Sequence, residues 1–490
     1  FTLTLIALLA LGVAPAQETS LGTIVDSYLE KEIGESSLAG AAVAVVSGEE
    51  VLYARGFGSA RLGEDVPVTT STAFEIGSLT KSMTAIAVLQ LVEDGLIELD
   101  APVQDYLPWF RLADAEASAQ ITVRQLLNHT SGLATNSHAV VGQDSDRTSG
   151  SLEDGVRALA TVNPTLAPGE GMQYANMGYA TLGVLIEEVS GQSWEEYLRA
   201  NLLLPLGMEN TGLTLEDQAG RPLAKPYTWR LSRQVQTGSL SSALAPAGST
   251  PVSSVLDMGT YLQAWLAPAQ DGPVTPFIAQ AATEPLAARG DEHYGLGLIV
   301  TEQHGERVVY HTGGTIGSAA YMALLPERDL GVIVLTNNPG ATAITLGMGV
   351  LDILLGQSPR AVGVDSARAT SVIATVSGAL FIALLVLLGF AVSRLLKGGA
   401  PARRGWVLWL RATLLTALAG ALWYFLPASL EAAGMPLPFG FFGYPVDIAV
   451  FSMGLLLTTT LWALYALTTL ALRFRASRGT TPAGARPAAA

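Results

Sequence analysis

Apolar and polar positions alternate with different periods in different parts of the chain. Residues 1–13 are almost wholly apolar and are followed by Ala14-Pro15-Ala16, with small residues placed as a signal-peptidase site requires. A run of that length is short for a bilayer core of about 30 Å, so residues 1–16 read as a cleaved signal peptide. Apolar runs at 41–46 and 51–56, joined by Ser47-Gly48-Glu49-Glu50, read as a β-hairpin. Residues 296–301, 307–311, 319–325 and 331–335 read as further strands, separated by turns at 304–305 and 326–329. Between about 78 and 286 the pattern is mostly helical, including 180–189 and 194–202. Strands near both ends with helices between imply one antiparallel sheet flanked by helices, with a helical insertion. This is an α/β fold, expected to be built in two layers.

The last third carries three long apolar runs, at about 371–392, 406–426 and 446–472. Each reaches the ~20 residues that a membrane helix needs. Arg394, Lys397, Arg403 and Arg404 lie between the first two runs, and Arg473, Arg475, Arg478 and Arg486 follow the third. The intervening loop 427–445 has no Lys or Arg. Basic loops stay on the cytoplasmic side, so the first span runs inward, in agreement with a signal peptide that exports the domain behind it. Trp406, Trp409, Trp423, Tyr424 and Tyr444 near the span ends fit interfacial belts. The expected division is therefore a signal peptide (1–16), an extracytoplasmic domain (17–358) and a small-residue linker (359–370). A three-helix transmembrane region (371–472) and a basic cytoplasmic tail (473–490) complete it. The implied location is a bacterial inner membrane, with the lipid bilayer as a partner.

Composition sharpens this division. The 490 residues are 49% hydrophobic and 14% charged, with a formal net charge of -15 and a mean hydropathy of +0.38. Nine of the 27 basic and two of the 42 acidic residues lie beyond residue 368, so the part before it carries about -22. So acidic a domain is a poor partner for nucleic acid. With no cysteine there are no disulfides, thiolate metal sites or cysteine nucleophile. The five histidines, at 129, 138, 293, 304 and 311, show no zinc-site spacing. No metal and no cofactor is expected.

The candidate chemistry begins at Ser78-Leu79-Thr80-Lys81, which opens an apolar helical stretch ending at Gly95. Ser78 and Lys81 are three apart, so hydroxyl and amine share one face of the first turn. The helix is apolar nearly all round, which implies burial. A buried lysine needs a partner or a task, and its depressed pKa would let it take a proton from a serine. An N-cap serine with a snorkelling lysine satisfies the same four letters. Further along, Tyr174-Ala175-Asn176 precedes a helix and presents a phenol and an amide two residues apart. Tyr310-His311-Thr312-Gly313-Gly314 ends a strand in small residues, where a backbone N–H can approach a substrate closely. The segment 121–133, containing Asn128-His129-Thr130-Ser131-Gly132, lies between the first two. His129 reads as a structural turn residue, and Glu75 as structural.

In this order and at these spacings, S-x-x-K, Y-x-N and H-T-G resemble the serine hydrolases of the class C β-lactamase and D-alanyl-D-alanine peptidase family. The resemblance covers roughly residues 22–356. With the three C-terminal spans, the chain also resembles the membrane-anchored peptidases that mature colibactin-type prodrugs. The resemblance implies that Ser78 is the nucleophile, Lys81 assists its deprotonation and Tyr174 is a second proton-transfer group. It makes Asn176, His311, Thr312, Gly313 and Gly314 substrate-binding, with the N–H groups of Ser78 and Gly314 as oxyanion hole. His311 stands where the family's β-lactamases carry lysine, which is more like the peptidase and esterase branches. A protonated His311 would contact a substrate carboxylate. The function implied is a peptidase cleaving amides next to D-amino acids in a small molecule or peptide. A carboxylesterase or weak β-lactamase is the alternative, and a penicillin-binding sensor without turnover is an alternative of another class.

Overall fold

The computed structural model describes residues 21–362, apart from 37, 136, 138–150, 215, 219, 231–232 and 239–241, together with scattered positions between 372 and 393 and residues 457–471 except 470. The signal-peptide reading and the basic tail lie outside the described residues, as do most of the linker, the whole of the second apolar run and parts of the first and third. No helix among the described residues is long and apolar enough to cross a membrane.

The described residues are organised by a nine-stranded sheet. Its strands are β1 (Gly40–Val46), β2 (Val51–Arg61), β3 (Val66–Pro67), β4 (Ala287–Arg289), β5 (Glu292–Tyr294), β6 (Ile299–Gln303), β7 (Glu306–Gly314), β8 (Ala319–Leu325) and β9 (Leu330–Thr336). They are ordered β3-β2-β1-β9-β8-β7-β6-β5-β4, so the first and last strands pair, Ala41 opposite Thr336. Every residue of β1 and β8 is buried, and so are six of seven in β9. Strands buried on both faces read as continuous apolar runs rather than alternations.

Both faces are therefore covered, and the arrangement has three layers, not the two read from the sequence. Helices α1 (Leu21–Glu35) and α5 (Thr342–Leu354) close the outer face in one apolar cluster with Val43, Tyr321 and Val334. There α5 approaches so closely that Gly347 lies on the Tyr321 ring and Gly349 on Tyr28, with no space for a Cβ at either. The inner face carries α2 (Thr80–Glu93), α3 (Asn176–Ser190) and α4 (Val255–Leu266) in a second, larger cluster that includes the insertion. The strand expected at 296–301 begins only at Ile299, because Gly297, at φ +87°, presses against Lys81 O and Ala85 of α2.

The nucleophile's helix sits in the middle of that cluster. Residues 80–89 of α2 are all buried, and its polar members are each bonded locally or to the insertion. Thr80 and Ser82 donate to Gly77 O and Leu79 O, and Thr84 to Pro246 O. Tyr261 of α4 donates to Ser82 Oγ at 2.7 Å. Gly95, at φ +73°, stops the helix in the left-handed conformation that glycine adopts without steric cost.

Candidate active site

Three chain segments converge at the start of α2. Ser78 lies in a single 3-10 turn, Gly77–Leu79, that leads into the helix. Gly77 takes φ +54°, and a Cβ there would collide with Gly314 N. One at Gly313 would strike Ile76 O, and one at Gly248 would strike Gly77 O. The backbones at 76–78, 313–314 and 248 thus touch, which places the N–H-bearing ends of Ser78 and Gly314 side by side. Thr315 donates to Glu75 Oε2 and ties the end of β7 to the residues before the nucleophile. Glu75 is accordingly a structural acceptor.

Lys81 is fully buried. Its Nζ lies 2.9 Å from Ser78 Oγ, 2.9 Å from Asn176 Oδ1 and 2.7 Å from Ala247 O. None of these partners is a carboxylate, and burial holds its pKa well below the usual lysine value. Asn176 opens α3, and its Oδ1 accepts from the lysine. Tyr174 lies partly exposed with its ring centroid 4.8 Å from Lys81 Nζ. Burial of its hydroxyl raises the phenol's pKa above its ordinary value, while a hydrogen bond with Ser78 pulls the other way. Base and phenol are shifted in opposite directions, which separates an acceptor from a donor at neutral pH.

His311 is 2% exposed. Its Nδ1 lies 2.7 Å from Thr312 O, a carbonyl that can only accept, so the proton is on Nδ1. Nε2 then accepts from Tyr294 OH at 2.8 Å. Burial is the main reason its pKa is pushed down to about 3, and the nearby Lys81 adds to it. Both ring nitrogens are thus engaged and burial opposes protonation, so the positive charge on which a contact with a substrate carboxylate depends is disfavoured. Thr312 and Gly314 remain accessible at the end of β7, while Gly313 is buried.

Sequence reasoning missed three members of this cluster. Ala247 O anchors Lys81 from a 3-10 segment 166 residues away, and no side-chain motif marks a backbone carbonyl. Tyr294 of β5 positions His311, and it follows a polar stretch, 291–293, that carries no strand pattern or motif. His129 packs its ring 4.2 Å from that of Tyr174; its only signal was its place ahead of the tyrosine segment.

The family model described as Beta-lactamase matches residues 25–354, about two thirds of the chain. The chain belongs to that family. Its members are serine hydrolases, and penicillin-binding proteins are among the relatives. The chain is 32% identical over 328 residues to penicillin-binding protein 4 of Amycolatopsis lactamdurans, covering 63% of this chain and 83% of that one. It is 25% identical to the protein flp of Staphylococcus aureus strain MRSA252, covering 64% and 62%, so it spans less than two thirds of that relative. Among solved structures, the octameric penicillin-binding protein homologue from Pyrococcus abyssi superposes with a TM-score of 0.59 at 30% identity, covering 69% of this chain and 78% of that one. EstCE1, a hydrolase with promiscuous acyltransferase activity, superposes at 0.58 and 22% identity, covering 66% and 94%. It speaks for the fold alone.

Proposed function

We propose that the protein hydrolyses an acyl bond through an acyl-enzyme on Ser78, most specifically an amide next to a D-amino acid. The observation that carries this reading is the 2.9 Å approach of Lys81 Nζ to Ser78 Oγ with its other two contacts on obligate acceptors. A neutral amine there spends two N–H bonds on Asn176 and Ala247 and turns its lone pair to the serine hydroxyl. Ser78 Oγ attacks the carbonyl carbon and its proton passes to Lys81. The N–H groups of Ser78 and Gly314 hold the oxyanion. The leaving nitrogen takes a proton from the Lys81–Tyr174 pair, and water then releases the acyl group. Relatives named for binding penicillin, a cyclic amide, support an amide carbonyl as the electrophile.

The membrane part of the reading rests on the three apolar runs and the basic residues flanking them. It makes the protein a bilayer-anchored hydrolase with its catalytic domain on the extracytoplasmic side. One observation favours a carboxylesterase as second reading: the neutral His311 leaves the end of β7 without a cation of its own for a carboxylated substrate. The test is incubation of the full chain and Ser78→Ala with acyl-D-amino-acid amides, muropeptides, esters and a cephalosporin. Release of D-amino-acid amides by the wild type alone supports the peptidase, and release of esters only turns the assignment to esterase. A label on Ser78 that persists without product release supports a sensor. Equal turnover by Ser78→Ala overturns the acyl-enzyme. Resistance of the full chain to alkaline extraction from membranes tests the anchor.

A further inference from the structure

His129 takes no part in the mechanism above, yet it touches both sides of the site. It is 1% exposed and holds φ +61°, a left-handed conformation in which histidine is enriched among non-glycine residues. Its carbonyl accepts the N–H of Gln173 at 2.7 Å, and its Nδ1 accepts the N–H of Ala175 at 3.2 Å. These are the residues immediately before and after Tyr174. The left-handed turn is what lets the carbonyl and the ring of one residue face the same short segment.

The ring itself completes the clasp. Its centroid lies 4.2 Å from Tyr174, 4.6 Å from Tyr294 and 5.2 Å from Tyr179. Tyr294 in turn donates to His311 at the end of β7, and Tyr179 donates to Leu127 O, two residues before His129. Because Nδ1 accepts from a backbone amide, the imidazole carries its proton on Nε2, a buried atom without a hydrogen-bond partner among the described residues. A side chain that leaves one polar atom unpaired in order to present the other to Ala175 is specified by the clasp rather than by burial alone.

We propose that His129 is a positioning residue for Tyr174, gripping the backbone on both sides of the tyrosine and fixing its ring against Lys81 and Ser78. This rests on Tyr174 acting in proton transfer, and it extends that reading to the residue that sets its geometry. Displacing a proton-transfer group by about 1 Å costs on the order of 10²-fold in rate. Loss of the clasp therefore lowers kcat and leaves KM nearly unchanged.

The experiment is a double-mutant cycle on the full chain, with p-nitrophenyl acetate as probe, combining His129→Asn, His129→Phe and Tyr174→Phe. Asparagine tolerates the left-handed backbone and keeps an acceptor near the Nδ1 position, whereas phenylalanine keeps a ring and loses the acceptor. His129→Phe should lower kcat by about 10²-fold, His129→Asn should recover part of that loss, and neither should add to the loss in Tyr174→Phe. Equal fold-losses in the two tyrosine backgrounds, or unchanged kcat in the folded His129→Phe protein, overturn the proposal. Full turnover by Tyr174→Phe alone removes the tyrosine's role first and the clasp's purpose with it, and is recognisable because it requires no change at His129. Thermal melting of each variant separates a failure to fold from a loss of rate.

Discussion

Lys81 Nζ stands 2.9 Å from Ser78 Oγ inside a helix whose residues 80–89 are all buried, with no carboxylate bonded to it. Amine and hydroxyl are held together by the i, i+3 geometry of one turn and by two acceptors drawn from the insertion, Asn176 and Ala247. Desolvation opposes the ammonium, so nucleophile and base are paired by position and tuned by burial.

Lys81→Arg installs a permanent positive charge and discards the base. Guanidinium remains protonated at any working pH, and it is too large for a fully buried site. Turnover should fall by roughly 10²- to 10⁴-fold, the range attached to a general base, and Lys81→Met should fall equally. The check is the burst of acylation of Ser78 by a fluorophosphonate probe. An arginine variant that acylates at the wild-type rate would show that the proton leaves by another route.

The pH dependence of acylation follows from the same burial. A lysine with its ordinary pKa near 10.5 would limit kcat/KM to alkaline solution, whereas this one is held well below that value. The acid form loses its proton as pH rises through the lowered pKa, so acylation should already be on its plateau well below pH 10.5. The phenol of Tyr174 is shifted upward and should place no descending limb in the neutral range. A profile rising steadily to pH 10 would contradict the desolvated amine.

Much of this was legible in the residues, for reasons that differ from case to case. Ser78 and Lys81 are local neighbours, so a helical period suffices to pair them, and the burial of α2 follows from apolar positions on all its sides. The sheet was readable because 41–46 and 319–325 are uninterrupted apolar runs. Its two outer helices were not. α1 buries only Val25, Tyr28, Leu29 and Glu32, too narrow a stripe to stand out, and α5 seats Gly347 and Gly349 on rings beside the buried Leu346, Val350 and Leu351, a close approach that no local pattern records. The charge state of His311 was not readable, because it depends on Tyr294, 17 residues away, and on burial that no local pattern records.

Gly77 is expected to be intolerant of any side chain. It adopts φ +54°, and a Cβ would collide with Gly314 N across the gap between the nucleophile's turn and β7. The left-handed conformation alone costs on the order of 1 kcal/mol for alanine. The collision adds displacement of the strand end that carries the expected oxyanion donor. Gly77→Ala should therefore lose both stability and kcat, whereas Gly63→Ala, at φ +80° with nothing within 4 Å, should lose stability alone. Denaturant titration together with steady-state kinetics on both variants distinguishes them. Comparable kcat in the two would mean that the contact between Gly77 and Gly314 does not shape the site.

His311 should also leave a signature in stability against pH. Its native pKa is pushed down to about 3 from an ordinary 6.5, so between these values the unfolded chain holds a proton that the native state refuses. Stability then rises with pH across that window, by up to about 1.4 kcal/mol per unit for one proton. It is fully present above pH 6.5 and lost progressively as pH falls towards 3. His129, held well below its ordinary value by burial, contributes in the same direction. In His311→Gln the side-chain oxygen gives Tyr294 an acceptor while the titrating group is gone. The slope of unfolding free energy between pH 6 and pH 4.5, from urea titrations, should be smaller by about one proton in the variant than in the wild type. Equal slopes would mean that His311 is protonated in the folded protein, and would restore a cation to the end of β7.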